Sequence, residues 1–220
     1  MEKKDFNRLM EHQLSEIKED FLNKKPTLLL HACCAPCSSY VLERLAEIFS
    51  ITIYYYNPNI HPQNEYDRRI KELDDFIHKF SLAKNINLIV PKYIPEEYFE
   101  ATNVLKEEFL QKEAERGERC FRCYNFRMKK AYEFAVENNF DYFTTTLSIS
   151  PHKDAKKINF IGEELEKNFM SQKNSTKYLF ADFKKKNGFK RSLEISTEYG
   201  LYRQDYCGCV FSAKTNLNQL

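Results

Sequence analysis

Glycine is scarce in this 220-residue chain: there are five, and the first is Gly117. A phosphate cradle of the Walker or dinucleotide type needs several glycines between a strand and a helix, for tight turning and close approach of the backbone to phosphate. The N-terminal half has none, which excludes P-loop NTPases and dehydrogenases of the standard kind. Long apolar runs are missing too, since none approaches the roughly 20 residues of a membrane span. The opening MEKKDFNRLMEH has no apolar h-region and does not read as a signal peptide. A cytoplasmic chain with no membrane partner is expected. Nor is one sign of charge in excess: 34 Lys and Arg face 32 Asp and Glu, so only local clustering can name a partner.

What the chain does have is core material, with 42% hydrophobic and 15% aromatic residues, enough to exclude disorder as its main state. Residues 5–23 carry apolar side chains at helical spacing, and Pro26 ends that helix. TLLLHA (27–32), ITIYYY (51–56), NLIVP (87–91) and DYFTTTL (141–147) read as strands. Helices are expected from Ser38 to Phe49, up to about Lys84, from Pro95 to the break at Gly117, from near Cys123 to Asn138, and from about Asp154 to Met170. An extended YLFADF, a basic loop and a final helix close the chain. Strands alternating with helices predict βαβ units and a parallel sheet covered by helices. With no repeat and no linker, the expected organisation is an N-terminal helix (1–25) and one α/β catalytic domain (26–220).

The seven cysteines fall into three tight clusters, Cys33/Cys34/Cys37, Cys120/Cys123 and Cys207/Cys209. An odd count without an export signal argues against a disulfide framework, so clustered thiols read as metal ligands or redox groups. The first cluster follows the first expected strand, where open α/β sheets bind ligands. Pro36 suits the first turn of the next helix, whose partial positive charge favours thiolate, the metal-binding form. Cys120-Phe121-Arg122-Cys123 is a CxxC, ambiguous alone among zinc, iron–sulfur and dithiol chemistry. Joined to Cys33 and Cys34 it makes a four-thiolate set for zinc or a [4Fe–4S] cluster, and the adjacent Cys-Cys pair favours the cluster. Cys207-Gly208-Cys209 reads either as a small, strained, reducible disulfide or as two further metal ligands.

Basic residues gather nearby. Arg116, Arg119, Arg122, Arg127, Lys129 and Lys130 surround a single acid, Glu118, and interleave with Phe121, Tyr124 and Phe126. A second run is Lys184, Lys185, Lys186, Lys190 and Arg191. Such patches suit nucleic-acid phosphates and stacked bases. A solvated face explains the second run equally well, and charge compensation of a thiolate cluster explains the first. His31, His61 and the loop Ser150-Pro151-His152-Lys153-Asp154 adjoin the expected site, as proton donors or as structural residues; His12 and His78 read as surface residues.

HACCAPCS, YNPNIHP, EYDRR, GERCFRCYNFRM, TTTLSISPHKD and YRQDYCGCVFS occur in order from about Leu28 to Ser212. Together they resemble the cobalamin-independent epoxyqueuosine reductases of the QueH type. The resemblance implies the last step of queuosine biosynthesis, in which epoxyqueuosine at the tRNA wobble position loses its epoxide oxygen. It implies a [4Fe–4S] cluster on Cys33, Cys34, Cys120 and Cys123 and a redox-active pair at Cys207 and Cys209. The implied fold is similar to the PP-loop and adenine-nucleotide hydrolase (HUP-like Rossmannoid) type, with HACCAPC standing where the ATP loop would be.

Deoxygenating an epoxide to an alkene takes two electrons and two protons and releases water. A [4Fe–4S] cluster ordinarily passes one electron at a time, so a second redox group is needed. The Cys207/Cys209 dithiol is one candidate. A second metal ion, iron, is the other, with Cys37 as its candidate ligand and Asp205 a further one; Cys37 is otherwise a bystander. Such a metal would polarise the leaving oxygen. The expected catalytic residues are Cys207, Cys209, Asp205 and His152. The expected partners are tRNA, held through Arg119, Arg122, Arg127 and Lys130, and a low-potential electron donor. Two other classes compete: a zinc-stabilised nucleic-acid module, which leaves Cys37, Cys207 and Cys209 idle, and a metal-free thiol–disulfide or peroxide enzyme, which leaves Cys33, Cys34 and the CxxC unexplained.

Overall fold

Leu28, Leu29 and Leu30 are completely buried at the centre of a five-stranded, all-parallel sheet. The computed structural model describes residues 4–21, 24–83, 86–170 and 176–213. Its strands are β1 (Thr27–His31), β2 (Ser50–Tyr54), β3 (Asn87–Ile89), β4 (Tyr142–Thr145) and β5 (Lys177–Tyr178), in the order β3-β2-β1-β4-β5. The helices are α1 (Phe6–Asp20), α2 (Ala35–Leu45), α3 (Gln63–Lys79), α4 (Pro95–Thr102), α5 (Glu108–Lys112), α6 (Glu118–Glu137), α7 (Ala155–Phe169) and α8 (Gly188–Glu198). This is the expected α/β class. None of the described helices is long and apolar enough to cross a membrane.

Strand side chains alternate between faces, and here both faces are covered, which is why β1 reads as an unbroken apolar run. Leu28 and Leu30 pack with Met10 and Leu14 of α1, Val41 and Leu45 of α2, and Leu73 and Phe76 of α3. Leu29 packs on the other face with Met128 and Ala131 of α6 and Ile158 and Ile161 of α7. Each such leucine contributes about 1.5–3 kcal/mol by leaving water. The amide of Gln13 also ties α1 to the β5 segment, donating to the Tyr178 carbonyl (3.0 Å) and accepting from the Phe180 N–H (2.9 Å).

Several boundaries differ from expectation, each for a local reason. α2 starts at Ala35 because the Cys34 sulfur caps it, accepting from the Cys37 N–H at 3.4 Å. The stretch from Pro95 to Gly117 is two helices, broken at Asn103, which takes a left-handed conformation (φ 57°). Arg122 holds that break by donating to the Thr102 carbonyl at 3.0 Å. α6 begins at Glu118, so Cys120 and Cys123 both lie in its first turns. β4 stops at Thr145, whose hydroxyl accepts from the Leu147 N–H at 3.2 Å and opens a 3-10 turn. α3 ends at Lys79; Lys84, the expected end, and residues 22–23 of the first helix lie outside the described residues.

β1 pairs with β2 on one side and β4 on the other, so the chain reverses its direction of sheet growth at β1. The carboxyl ends of β1 and β4 therefore open into a crevice, the usual ligand position in this architecture.

Candidate active site

A cavity of about 370 Å³ occupies that crevice, and cysteines from all three clusters reach its wall: Cys37, Cys120, Cys123, Cys207 and Cys209. Cys33 and Cys34 lie behind Cys37. The sulfurs of Cys33, Cys34 and Cys37 all fall within 4.8 Å of one another, forming the one such ligand group among the described residues. A single tetrahedral ion with metal–sulfur bonds of about 2.3 Å holds its thiolates about 3.8 Å apart, so this group has the spacing of one ion's ligands. Cys120 and Cys123 share the cavity without joining that group. All seven cysteines are free thiols.

The thiols have different environments. Hydrogen bonding with Cys34 and Cys37 holds the Cys33 thiol well below its ordinary range, against burial and aided by Lys153 and Arg127. Cys34 is pushed up by burial and by its bond to Cys33, and Cys37 is raised to about 12, chiefly by its bond to Cys33. Burial raises Cys120, and raises Cys123 to about 11, although Arg127 Nη1 lies 3.9 Å from the Cys123 sulfur. In the last cluster Cys207 is lowered by its bond from Cys209, and Cys209 is raised by the same bond. Ser212 Oγ lies 2.9 Å from Cys207 Sγ, and the Tyr98 hydroxyl 3.0 Å from Cys209 Sγ.

Two cations are buried among these sulfurs. Arg127, 2% exposed, donates to Asn57 Oδ1 and lies 3.5 Å from His31 Nε2, while its Nε has no acceptor. Lys153, 8% exposed, lies on the cavity wall. Burial pulls Lys153 down, but the sulfurs of Cys33, Cys37 and Cys207 outweigh it and keep it charged. Lys153 was hidden in the sequence beside His152 and Asp154, whose residue types draw more attention. Tyr98 and Gln204 were also missed. Gln204 Nε2 donates to Cys34 Sγ at 3.1 Å, and nothing in the spacing of either residue points at a sulfur.

The remaining candidates separate. His152 and Asp205 are exposed on the cavity wall. Asp154 caps α7, accepting from the Lys156 N–H at 2.9 Å. His31 is completely buried between Thr145 Oγ1 (2.9 Å) and the Tyr56 carbonyl (3.1 Å), and burial with the nearby Arg127 pushes it down to about 3, so it is neutral and structural.

The arginine patch drawn from the sequence does not form one surface. Arg119 and Arg127 are both 2% exposed. Arg119 donates inward to the Leu110 carbonyl at 2.5 Å, and Arg127 faces the thiols. Arg122 is held by Glu107 at 2.6 Å and Glu118 at 2.9 Å. Helical periodicity explains the split, since residues 119, 123 and 127 share the buried stripe of α6. Lys129 and Lys130 are exposed. In the second run, Lys184 pairs with Asp182 (2.5 Å) and Arg191 with Glu43 (2.6 Å). At the cavity wall the exposed Arg203 lies over the Phe189 ring, 5.6 Å from its centroid.

The family model described as epoxyqueuosine reductase QueH matches residues 28–215. The chain is similar to the epoxyqueuosine reductase QueH of Streptococcus pyogenes, 41% identical over 215 residues, covering 97% of this chain and 80% of that protein. It is similar to that of Staphylococcus aureus at 41% over 191 residues (86% and 76%), and to that of Thermotoga maritima at 33% over 186 residues (84% and 90%).

Proposed function

The chain belongs to the epoxyqueuosine reductase QueH family, and we propose that it reduces epoxyqueuosine to queuosine at the wobble position of tRNA, the last step of queuosine biosynthesis. One observation carries the chemistry: cysteines from three distant segments converge on a single cavity at the carboxyl end of the sheet.

The donor set fits an iron–sulfur group. Sulfur dominates the ligand atoms at hand, and the buried cations Arg127 and Lys153 lie near those thiols, the charge arrangement that an anionic, thiolate-bound group needs. Cys33, Cys34, Cys120 and Cys123 would hold a [4Fe–4S] cluster, and Cys37, next to Cys33 and Cys34, would hold a second iron. Bound there, these groups would deliver electrons singly from a low-potential donor and polarise the epoxide oxygen.

The chain's own residues do the rest. Oxidising Cys207 and Cys209 to a disulfide releases two electrons and two protons, the number needed to break both C–O bonds of the epoxide, form the alkene and release water. Lys153 keeps the cavity positive where the oxygen leaves. His152 and Asp205, on the solvent-facing wall, pass protons inward. A wobble base is unpaired and needs little energy to be splayed into a pocket. Phe189 offers it a stacking edge, and Arg203 and Lys130 exposed charges for phosphate. Such an enzyme acts in the cytoplasm.

The test is iron and acid-labile sulfide on protein purified without oxygen, followed by turnover of epoxyqueuosine tRNA. Four or more irons with four sulfides per chain, and queuosine as product, are expected for a [4Fe–4S] site. One zinc and no sulfide would overturn the iron–sulfur reading, and unchanged tRNA the activity.

A further inference from the structure

Arg69 of α3 is completely buried and is not among the residues that line the cavity. A buried guanidinium must find acceptors for its N–H groups, because burying them unpaired is costly. Arg69 Nε donates to Glu65 Oε1 one helical turn away at 2.6 Å. Its other two nitrogens reach across 138 and 137 residues of chain, Nη1 to the Cys207 carbonyl at 3.2 Å and Nη2 to the Tyr206 carbonyl at 3.4 Å.

The next carbonyl is held as well. The His61 N–H donates to the Gly208 carbonyl at 2.8 Å, and the Tyr206 hydroxyl donates to the His61 carbonyl at 2.5 Å. Gly208 has φ +102°, a conformation that side chains rarely adopt, and a Cβ there would lie 2.7 Å from Ile60 Cγ1 and 3.1 Å from Arg69 Nη1. The glycine is needed so that this backbone can lie against the guanidinium.

A disulfide between Cys207 and Cys209 closes a small ring that contains two peptide carbonyl carbons, those of Cys207 and Gly208. Arg69 holds one of these carbonyls and His61 holds the other. We propose that Arg69 is the positioning residue of the Cys207/Cys209 pair, pinning the backbone of the ring so that both sulfurs stay within reach of each other. The role rests on the redox-pair reading above. In each oxidation the two S–H bonds break, one S–S bond forms, and two protons and two electrons leave. In the enzyme the electrons reduce the epoxide; in the test they reduce glutathione disulfide.

The experiment equilibrates the holoenzyme in glutathione buffers without oxygen, blocks remaining thiols by alkylation and digests with trypsin. Cleavage after Arg203 and Lys214 releases a peptide whose only cysteines are Cys207 and Cys209. Arg69→Lys keeps the charge but loses the planar fork that serves two carbonyls and Glu65. Its dithiol–disulfide equilibrium is expected to move at least fivefold toward the dithiol, while Arg191→Ala, which breaks a surface ion pair with Glu43, stays at the wild-type value. Arg69→Leu would strand the Glu65 carboxylate and disturb the fold, so Arg69→Lys carries the test. A lowered melting temperature with an equilibrium within twofold of wild type would make Arg69 merely structural and end the proposal. A wild-type peptide that never forms the disulfide would overturn the redox-pair reading itself.

Discussion

The Tyr98 hydroxyl lies 3.0 Å from the Cys209 sulfur, inside a small apolar cluster with Val104, Leu110 and Cys123. Burial, together with the nearby sulfurs of Cys209 and Cys123, pushes the phenol far above its ordinary range, so it keeps its proton and donates to the sulfur. Tyr98→Phe removes that one hydrogen bond and leaves the ring. A neutral hydrogen bond is worth about 0.5–1.5 kcal/mol, so turnover should fall about threefold to tenfold with little change in melting temperature. Comparing turnover and melting of this variant with wild type checks the point.

Lys153 should matter more. With its ammonium gone, the Cys33, Cys37 and Cys207 region loses a buried cation on the cavity wall. Removing one partner of a buried charge arrangement costs about 3–5 kcal/mol, so Lys153→Met is expected to lose at least two orders of magnitude in turnover. Single-turnover assays at fixed iron content separate this from loss of metal, and wild-type rates would refute it.

Cysteine variants should separate the two metal roles. Cys33→Ser, Cys34→Ser, Cys120→Ser and Cys123→Ser are each expected to lose most iron and sulfide. Cys37→Ser should lose iron only and keep its sulfide. Metal and sulfide analysis of the five proteins decides the assignment, and sulfide loss in Cys37→Ser would place Cys37 in the cluster.

Acid should act on the start of α6 through Glu113. The N-cap there, Gly117, has no side chain, and the Glu113 carboxylate instead accepts from the N–H groups of Glu118 and Arg119, both at 2.8 Å. Burial pushes this carboxyl up, but the two backbone bonds and Arg119 outweigh it and leave it below its ordinary 4.5. A depressed carboxyl contributes stability above its unfolded value and loses it as pH falls through the folded one. The contribution is therefore full above about pH 4.5 and disappears below it. Glu113→Ala should cost about 1 kcal/mol near neutrality, as loss of a helix cap does, and should flatten the acid limb of the melting curve. An unchanged acid limb would show that the cap is not the titrating element.

RNA binding should respond to Arg203 rather than to Arg127. Arg203→Ala is expected to weaken tRNA binding and lower the dependence of log K on log salt by about 1 per lost phosphate contact, with iron unchanged. Arg127→Ala should instead reduce iron content. Filter binding across salt concentrations gives the slopes, and equal slopes for wild type and Arg203→Ala would remove Arg203 from the interface.

The sheet was legible because buried parallel strands write themselves as short apolar runs, as Leu28–Leu30 do, and because Pro26 and Pro95 punctuate the chain. The boundaries that mattered most for chemistry were less so. A sulfur caps α2 at Cys34, and a carboxylate from outside the helix caps α6, so neither start carries the Ser, Thr or Asp signal that sequence reading relies on. The cysteine clusters stood out by spacing alone, and the structure brings them to one cavity. The direction of the basic side chains did not, because Arg119, Arg127 and Lys130 look alike in sequence and only the turn of α6 sends two inward and one to solvent. Arg69 stood in the EYDRR motif, but its partner, like that of Tyr98, was not legible, because each acts on a residue more than a hundred positions away.

The three thiol clusters at residues 33–37, 120–123 and 207–209 are spread along almost the whole chain. During synthesis the first cluster leaves the ribosome long before the CxxC exists, and the CGC segment comes last. An early-bound single ion on Cys33, Cys34 and Cys37 would find a ready set of ligands there, whereas a cluster spanning two segments has to wait for α6 to dock on β1 and β4. The order of translation therefore completes the three-thiol group well before any ligand set that draws on two segments.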